Sequence, residues 1–170
     1  MPDLLTHVLL AYAGMTMAVW YDDRFARHHV SVAMVGAALP DLAKIGLVVD
    51  FEAVSVLLGI PLSPLPLHRL GGVLVVAGIG SLLVHDRERW MTFAILTTAA
   101  MGHLVLDALI IRADGLTPPY LYPFTWWRPP AGDLYLSSDL WPALVAIGIA
   151  SLAWVFTARN PATESALELD

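Results

Sequence analysis

Apolar residues in this chain come in long unbroken runs, not in the alternation of a half-buried strand or the narrow stripe of a surface helix. Five runs approach the ~20 residues that a helix needs to cross a hydrocarbon core: residues 4–20, 30–49, 70–84, 91–111 and 140–156. The fourth is the clearest. The third is short, and can borrow Leu65 and Leu67 or stand with little tilt. Residues 51–60 are too few to span, and the PLSPLPL that follows places Pro61, Pro64 and Pro66 where no helix continues. That piece reads as interfacial or re-entrant. The pattern predicts an all-α, polytopic membrane helix bundle of four to five transmembrane helices plus this segment. It forms one domain over residues 1–158, and an acidic tail over 159–170 is expected to be disordered.

Composition strengthens this reading. Apolar residues make up 58% of the chain and charged residues 14%, against roughly 45–50% and about 25% in soluble domains. Mean hydropathy is +0.69. The formal net charge of −6 excludes a nucleic-acid partner, because a phosphate backbone is met by clustered Lys and Arg. With no cysteine, disulfide and thiolate chemistry are excluded too. The start, MPDLLTH, lacks a positive n-region, so the first apolar run is expected to stay as an anchor in a multi-pass cell-membrane protein.

Orientation follows from the loops. Arg24 and Arg27 share one short turn and Arg87 and Arg89 another, whereas Arg69, Arg112 and Arg128 are spread over long connections. Positive charge density puts the short turns in the cytoplasm and the N-terminus outside. Trp20, Tyr21, Trp90 and Trp154 then form an inner aromatic belt, and Phe51, Tyr120, Tyr122, Trp126, Trp127 and Trp141 an outer one.

Placed on this map, five potential metal ligands fall at one end of the bundle. His7 lies at the outer end of the first span, Asp41 in the outer half of the second, and His68 just before the third. His103 and Asp107 occupy the last turns of the fourth, spaced i,i+4 on one helical face. All five fall within about 15 Å of depth at 1.5 Å per residue, and reversing the topology moves them together. Asp3 and His7 share the same spacing, which would let Asp3 orient the imidazole. Asp41 follows Pro40, which can kink its helix inward. A charge at such depth costs several kcal/mol and rarely faces lipid. Simpler accounts exist for each part: a self-satisfied His103–Asp107 pair, an Asp41–Lys44 ion pair at i,i+3, and interfacial histidines. His28, His29 and His85 lie in the opposite loops and carry no assigned role.

Three imidazoles and two carboxylates suit Zn²⁺ and also admit Mn²⁺ or Fe²⁺. Such a site, with one position open, acidifies bound water. Two arrangements stand open: one metal with an unligated carboxylate as base, or two metals sharing Asp107.

At these same positions the chain resembles the membrane-bound metal-dependent hydrolases. The likeness rests on Thr6-His7, the GAALPD segment ending at Asp41, His68-Arg69, the GHLVLD run from Gly102 to Asp107, and Tyr122-Pro123-Phe124. It departs at Gly72, Val73 and Leu74, where the family's His-Arg motif continues into Thr-His-Ser. The family looks distantly similar to zinc-dependent phospholipase C. The resemblance therefore implies a helical metal site cutting a phosphoester.

The expected activity is hydrolysis of an ester, a phosphoester of a lipid-like substrate entering from the outer leaflet, at a site facing the extracytoplasmic side. Asp41 or Asp107 would act as base or ligand, and Arg69 would stabilise negative charge. Arg128, in the aromatic stretch 117–135, is a second guanidinium with phosphate-binding shape. Two rivals are a scaffold with a structural metal and a transporter or proton relay; the relay wants polar residues continuing across the membrane. The sequence does not set the oligomeric state.

Overall fold

The computed structural model describes residues 4–159. Its helices are α1 (Leu4–Tyr21), α2 (His28–Ala38), α3 (Phe51–Leu58), α4 (Leu70–Leu82), α5 (Arg89–Ala108) and α6 (Trp141–Ala158). Two 3-10 segments, Leu39–Leu47 and Leu65–His68, join them. The described residues contain no strand, only two isolated bridges, Ile110 with Tyr135 and Leu116 with Pro130. Four helical stretches are long and apolar enough to cross a membrane: α1, α2 with its 3-10 continuation (His28–Leu47), α5 and α6. At 13 residues, α4 is a shorter fifth. This is a helical membrane bundle. Asp3 and the tail from residue 160 lie outside the described residues.

Local chemistry sets the boundaries. Pro40 has no N–H to continue the α-helical ladder of α2, and the chain tightens there into the 3-10 register. Asp50 starts α3 by accepting from the Glu52 and Ala53 amides, both at 3.0 Å, and Gly59 ends it at φ +68°. No residue of α3 is buried, as befits a segment lying at the bundle's edge.

Packing is inverted relative to a soluble bundle. The seam between α1 and α6 is made of small buried residues, Ala13, Ala150 and Ala153, while Leu144, Leu152 and Trp154 point outward. Without a hydrophobic drive between helices, close backbone approach is what holds membrane helices together. α2 sits between α1 and α5, α6 covers α1, and α4 covers α5. Gly36 makes the α2–α5 seam possible: a Cβ there would stand 2.8 Å from the Leu96 carbonyl oxygen. That seam brings Asp41 and His103 to the same depth.

The long connection between α5 and α6 also has structure. It caps the end of α5, with the Gly132 amide donating to Ala108 O (2.8 Å), Leu134 to Leu109 O (2.8 Å) and the Tyr135 hydroxyl to Leu106 O (2.5 Å). It caps the start of α4 as well, where Tyr120 O accepts from Leu70 (2.7 Å) and Tyr122 O from Gly71 (2.8 Å). Gly71 allows this approach, since a Cβ there would lie 2.5 Å from Pro123 Cδ. One loop thus fixes the two helix ends that carry His68 and Asp107.

Candidate metal centre

His7, Asp41, His68, His103 and Asp107 meet at one end of the bundle. They form two overlapping triads, His7–His103–Asp107 and Asp41–His68–His103, each with its ligand atoms within 4.8 Å of one another. His7, His103 and Asp107 are 2, 1 and 0% exposed, and Asp41 is 8%. His68 is half-buried and forms the edge of the group. The His7 and His103 rings stack at 3.7 Å, inclined by 16°.

Distances decide whether this is a hydrogen-bonded network. His7 Nε2 stands 3.5 Å from Asp107 Oδ1, and His103 Nε2 stands 3.5 Å from Asp107 Oδ2 and 3.6 Å from Asp41 Oδ1. These gaps are too long for N–H···O bonds of 2.7–3.2 Å. Around a tetrahedral ion with bonds of about 2.0–2.2 Å, neighbouring ligand atoms lie about 3.3–3.6 Å apart. His7 Nε2, His103 Nε2, Asp41 Oδ1 and Asp107 Oδ1 are buried and have no hydrogen-bond partner among the described residues. Only His68 Nε2 approaches a carboxylate closely, at 2.8 Å from Asp107 Oδ2.

Tautomers sharpen the point. His103 Nδ1 lies 2.7 Å from the Ala37 carbonyl, and His68 Nδ1 lies 3.0 Å from the Pro40 carbonyl. A carbonyl only accepts, so both Nδ1 atoms carry the proton and, in neutral rings, both Nε2 atoms carry the lone pair. For His103 that lone pair faces carboxylate oxygens at 3.5 and 3.6 Å, acceptor against acceptor, whereas His68 Nε2, at 2.8 Å, donates to Asp107 when its ring is protonated. Such a cluster wants a cation. Backbone carbonyls that lock the ring of a ligating histidine are the usual surroundings of a metal site. Pro40 helps to supply one of them: it has no N–H to give Ala37's carbonyl in the 3-10 register, and that carbonyl accepts from His103 instead.

The Asp41–Lys44 ion pair also forms, at 2.6 Å through Oδ2. It engages one carboxylate oxygen and leaves Oδ1 aimed at His103. A second histidine cluster, His28–His29–Glu88 at the opposite end, is a useful contrast. There the Ala26 amide donates to His29 Nδ1 (2.8 Å), so Nε2 carries the proton and faces Glu88 at 3.4 Å. Here a proton, not a lone pair, faces the carboxylate. All three groups could hold a metal ion, and the two at the first end are the more buried.

The arginines are arranged differently from the sequence expectation. Arg69 caps the start of α4, and its guanidinium carbon lies 5.2 Å from the Tyr122 ring centre and 5.6 Å from that of Trp126. No hydrogen bond ties it to the five residues. Arg128 donates to Asp114 (2.6 Å) and to the Thr117 carbonyl (2.9 Å), pinning the loop, and holds the Asp114 carboxyl below its ordinary range. Tyr120, expected in the outer belt, is instead 7% exposed with its ring 6.0 Å from His68. Burial pushes its phenol up to about 12. The hydroxyl accepts from Arg112 Nη2 at 3.2 Å, and the same nitrogen donates to the Asp107 carbonyl at 3.3 Å. Arg112 and Tyr120 were missed by sequence reasoning. The available signal was a lone arginine five residues beyond Asp107 at a helix end. The second histidine of the resembled family has an apolar counterpart here: Val73 is 1% exposed and packs with Ala100, Leu104 and Tyr120.

Comparison with protein-family models, curated proteins and solved structures gives no match.

Proposed function

We propose that the chain is a membrane-embedded, metal-dependent hydrolase acting on an ester, a phosphoester of a lipid-like substrate. One observation carries the metal centre: buried His7 Nε2, His103 Nε2, Asp41 Oδ1 and Asp107 Oδ1 converge with no hydrogen-bond partner among the described residues. The ligands of a divalent ion would be drawn from His7, Asp41, His68, His103 and Asp107. Zn²⁺ fits a nitrogen-rich set best, and Mn²⁺ or Fe²⁺ takes the same donors. Such an ion, with one position open, lowers the pKa of water toward ~7 and supplies a nucleophile at neutral pH. Charge balance agrees. With neutral imidazoles, Asp41, Asp107 and Lys44 leave one negative charge, which a bound cation would offset. Asp41 or Asp107, whichever carboxylate is not ligating, serves as base. Arg69, oriented by Tyr122 and Trp126, stabilises the anion formed on the substrate.

The test is turnover of phosphomonoester, phosphodiester and lipid-phosphate substrates by metal-loaded protein in detergent. Chelation is expected to abolish it. Arg69→Ala should lower turnover about 30- to 1,000-fold with metal content unchanged, as expected for a lost contact of ~2–4 kcal/mol to a developing anion. The scaffold reading draws on the burial of His7, His103 and Asp107. A coordination sphere closed by protein ligands alone would establish it.

We further infer a cell-membrane location with the site facing outward, from the arginine-dense turns around Arg24 and Arg87. The chain has no cysteine, so single cysteines report cleanly. In intact cells an impermeant reagent should label Ser63→Cys and spare Ala26→Cys. The opposite pattern reverses the orientation.

A further inference from the structure

On the far side of Arg112 from Asp107, the loop forms an open, partly polar pocket. This cavity, of about 460 Å³, is lined by Arg112, Asp114, Leu116, Pro118, Arg128 and Ser137 among others. It lies beyond the end of α5, outside the spanning segments. A volume of this order matches a small ligand.

Its charge is specific. Two guanidiniums and one carboxylate line it, and that carboxylate, Asp114, is already paired with Arg128 at 2.6 Å. Arg112 has no ion-pair partner among the described residues. Nη2 of Arg112 is engaged by the Asp107 carbonyl and the Tyr120 hydroxyl, both neutral acceptors. Its Nε is buried with no partner among the described residues, and Nη1 makes no hydrogen bond there either. A buried, unpaired donor on a charged group is costly. A guanidinium with an N–H group still free can donate a charge-assisted hydrogen bond to an oxygen of a phosphate or carboxylate.

We propose that this cavity is an oxyanion-binding subsite, with Arg112 as its recognition residue and a phosphate group as its ligand. The source is either a lipid headgroup or free phosphate. The inference stands without hydrolysis, because binding is read in metal-free protein. It also adds something to the metal centre. Arg112 reaches the backbone of Asp107, so an anion held there would sit one helical turn from the cluster.

The experiment measures binding to the chelated, full-length protein in two arms. One titrates inorganic phosphate in detergent. The other uses nanodiscs of phosphatidylcholine with and without phosphatidic acid, read by native mass spectrometry. Saturable binding is expected in at least one arm, weakened at least tenfold by Arg112→Gln and partly restored by Arg112→Lys. Ala113→Trp, which fills the cavity and keeps Arg112, should weaken it comparably; it also guards against misfolding of the arginine variants. Binding in the first arm identifies free phosphate as a ligand, and binding in the second alone identifies a headgroup. Absence of saturable binding in both, or binding indifferent to Arg112→Gln and to Ala113→Trp, overturns the proposal. Neither result bears on whether the metal centre hydrolyses an ester.

Discussion

Asp107→Ala is expected to lower metal affinity at least ~100-fold, because every histidine of the centre converges on this one carboxylate. His7, His68 and His103 stand 3.5, 2.8 and 3.5 Å from its two oxygens. Loss of a group that merely orients a ligand already costs about 10–100-fold, and loss of a ligand costs more. His103→Ala should act similarly, since His103 belongs to both triads. Asp107→Asn keeps the volume and guards against misfolding. His28→Ala and His29→Ala are the controls: their cluster pairs with Glu88 at the other end of the bundle. Elemental analysis of detergent-purified protein never exposed to chelator checks this. If Asp107→Ala retains half or more of the wild-type metal, or wild type holds less than about a tenth of an equivalent and takes up no Zn²⁺, the centre is wrongly assigned.

The convergence of five candidate ligands was legible because helix geometry is simple in a membrane. Once the apolar runs fixed helix direction, residue number became depth, and His7, Asp41, His68, His103 and Asp107 had to share one end. The i,i+4 spacing placed His103 and Asp107 on one face without further information. What escaped was everything set by irregular backbone. Pro40 was legible as a kink. That it frees a carbonyl for His103 Nδ1 depends on the 3-10 register that follows, which no hydropathy pattern encodes. The α5–α6 connection read as an aromatic belt because Trp126 and Trp127 are apolar, and both are exposed. Its folding back to cap α4 and α5 comes from backbone hydrogen bonds of Tyr120, Tyr122, Gly132 and Leu134, which carry no side-chain signature. For the same reason Tyr120 was assigned to the membrane surface and is found against His68.

The identical residue types at the two ends of the bundle show why composition alone could not separate the clusters. His28–His29–Glu88 and His7–His103–Asp107 are both two imidazoles and a carboxylate. The difference lies in what sits behind the ring. An amide behind His29 turns the protonated nitrogen toward the carboxylate, whereas a carbonyl behind His103 turns the lone pair toward it. One arrangement closes on itself and the other stays open to a cation.

Chelation should therefore destabilise the protein strongly, and Asp107→Asn should reverse the sign of the carboxylate's contribution. Metal at a thousandfold excess over its Kd stabilises the folded state by about 4 kcal/mol. At about 2–4 °C per kcal/mol for a chain of this size, chelation should lower Tm by about 8–16 °C. The chelated protein then carries Asp41 and Asp107 in one buried cluster, with Lys44 paired to Asp41 alone. An uncompensated buried charge is a large penalty. Asp107→Asn removes that charge at nearly constant volume, so it should melt above chelated wild type, below metal-loaded wild type, and be indifferent to chelator. A cluster that merely hydrogen-bonds to itself gives the opposite order. There, wild type ignores chelator, and Asp107→Asn is the least stable of the three because it weakens the 2.8 Å contact to His68. Thermal unfolding of the two proteins, each with and without chelator in one detergent, measures all four states, and wild type indifferent to chelator would end the metal reading.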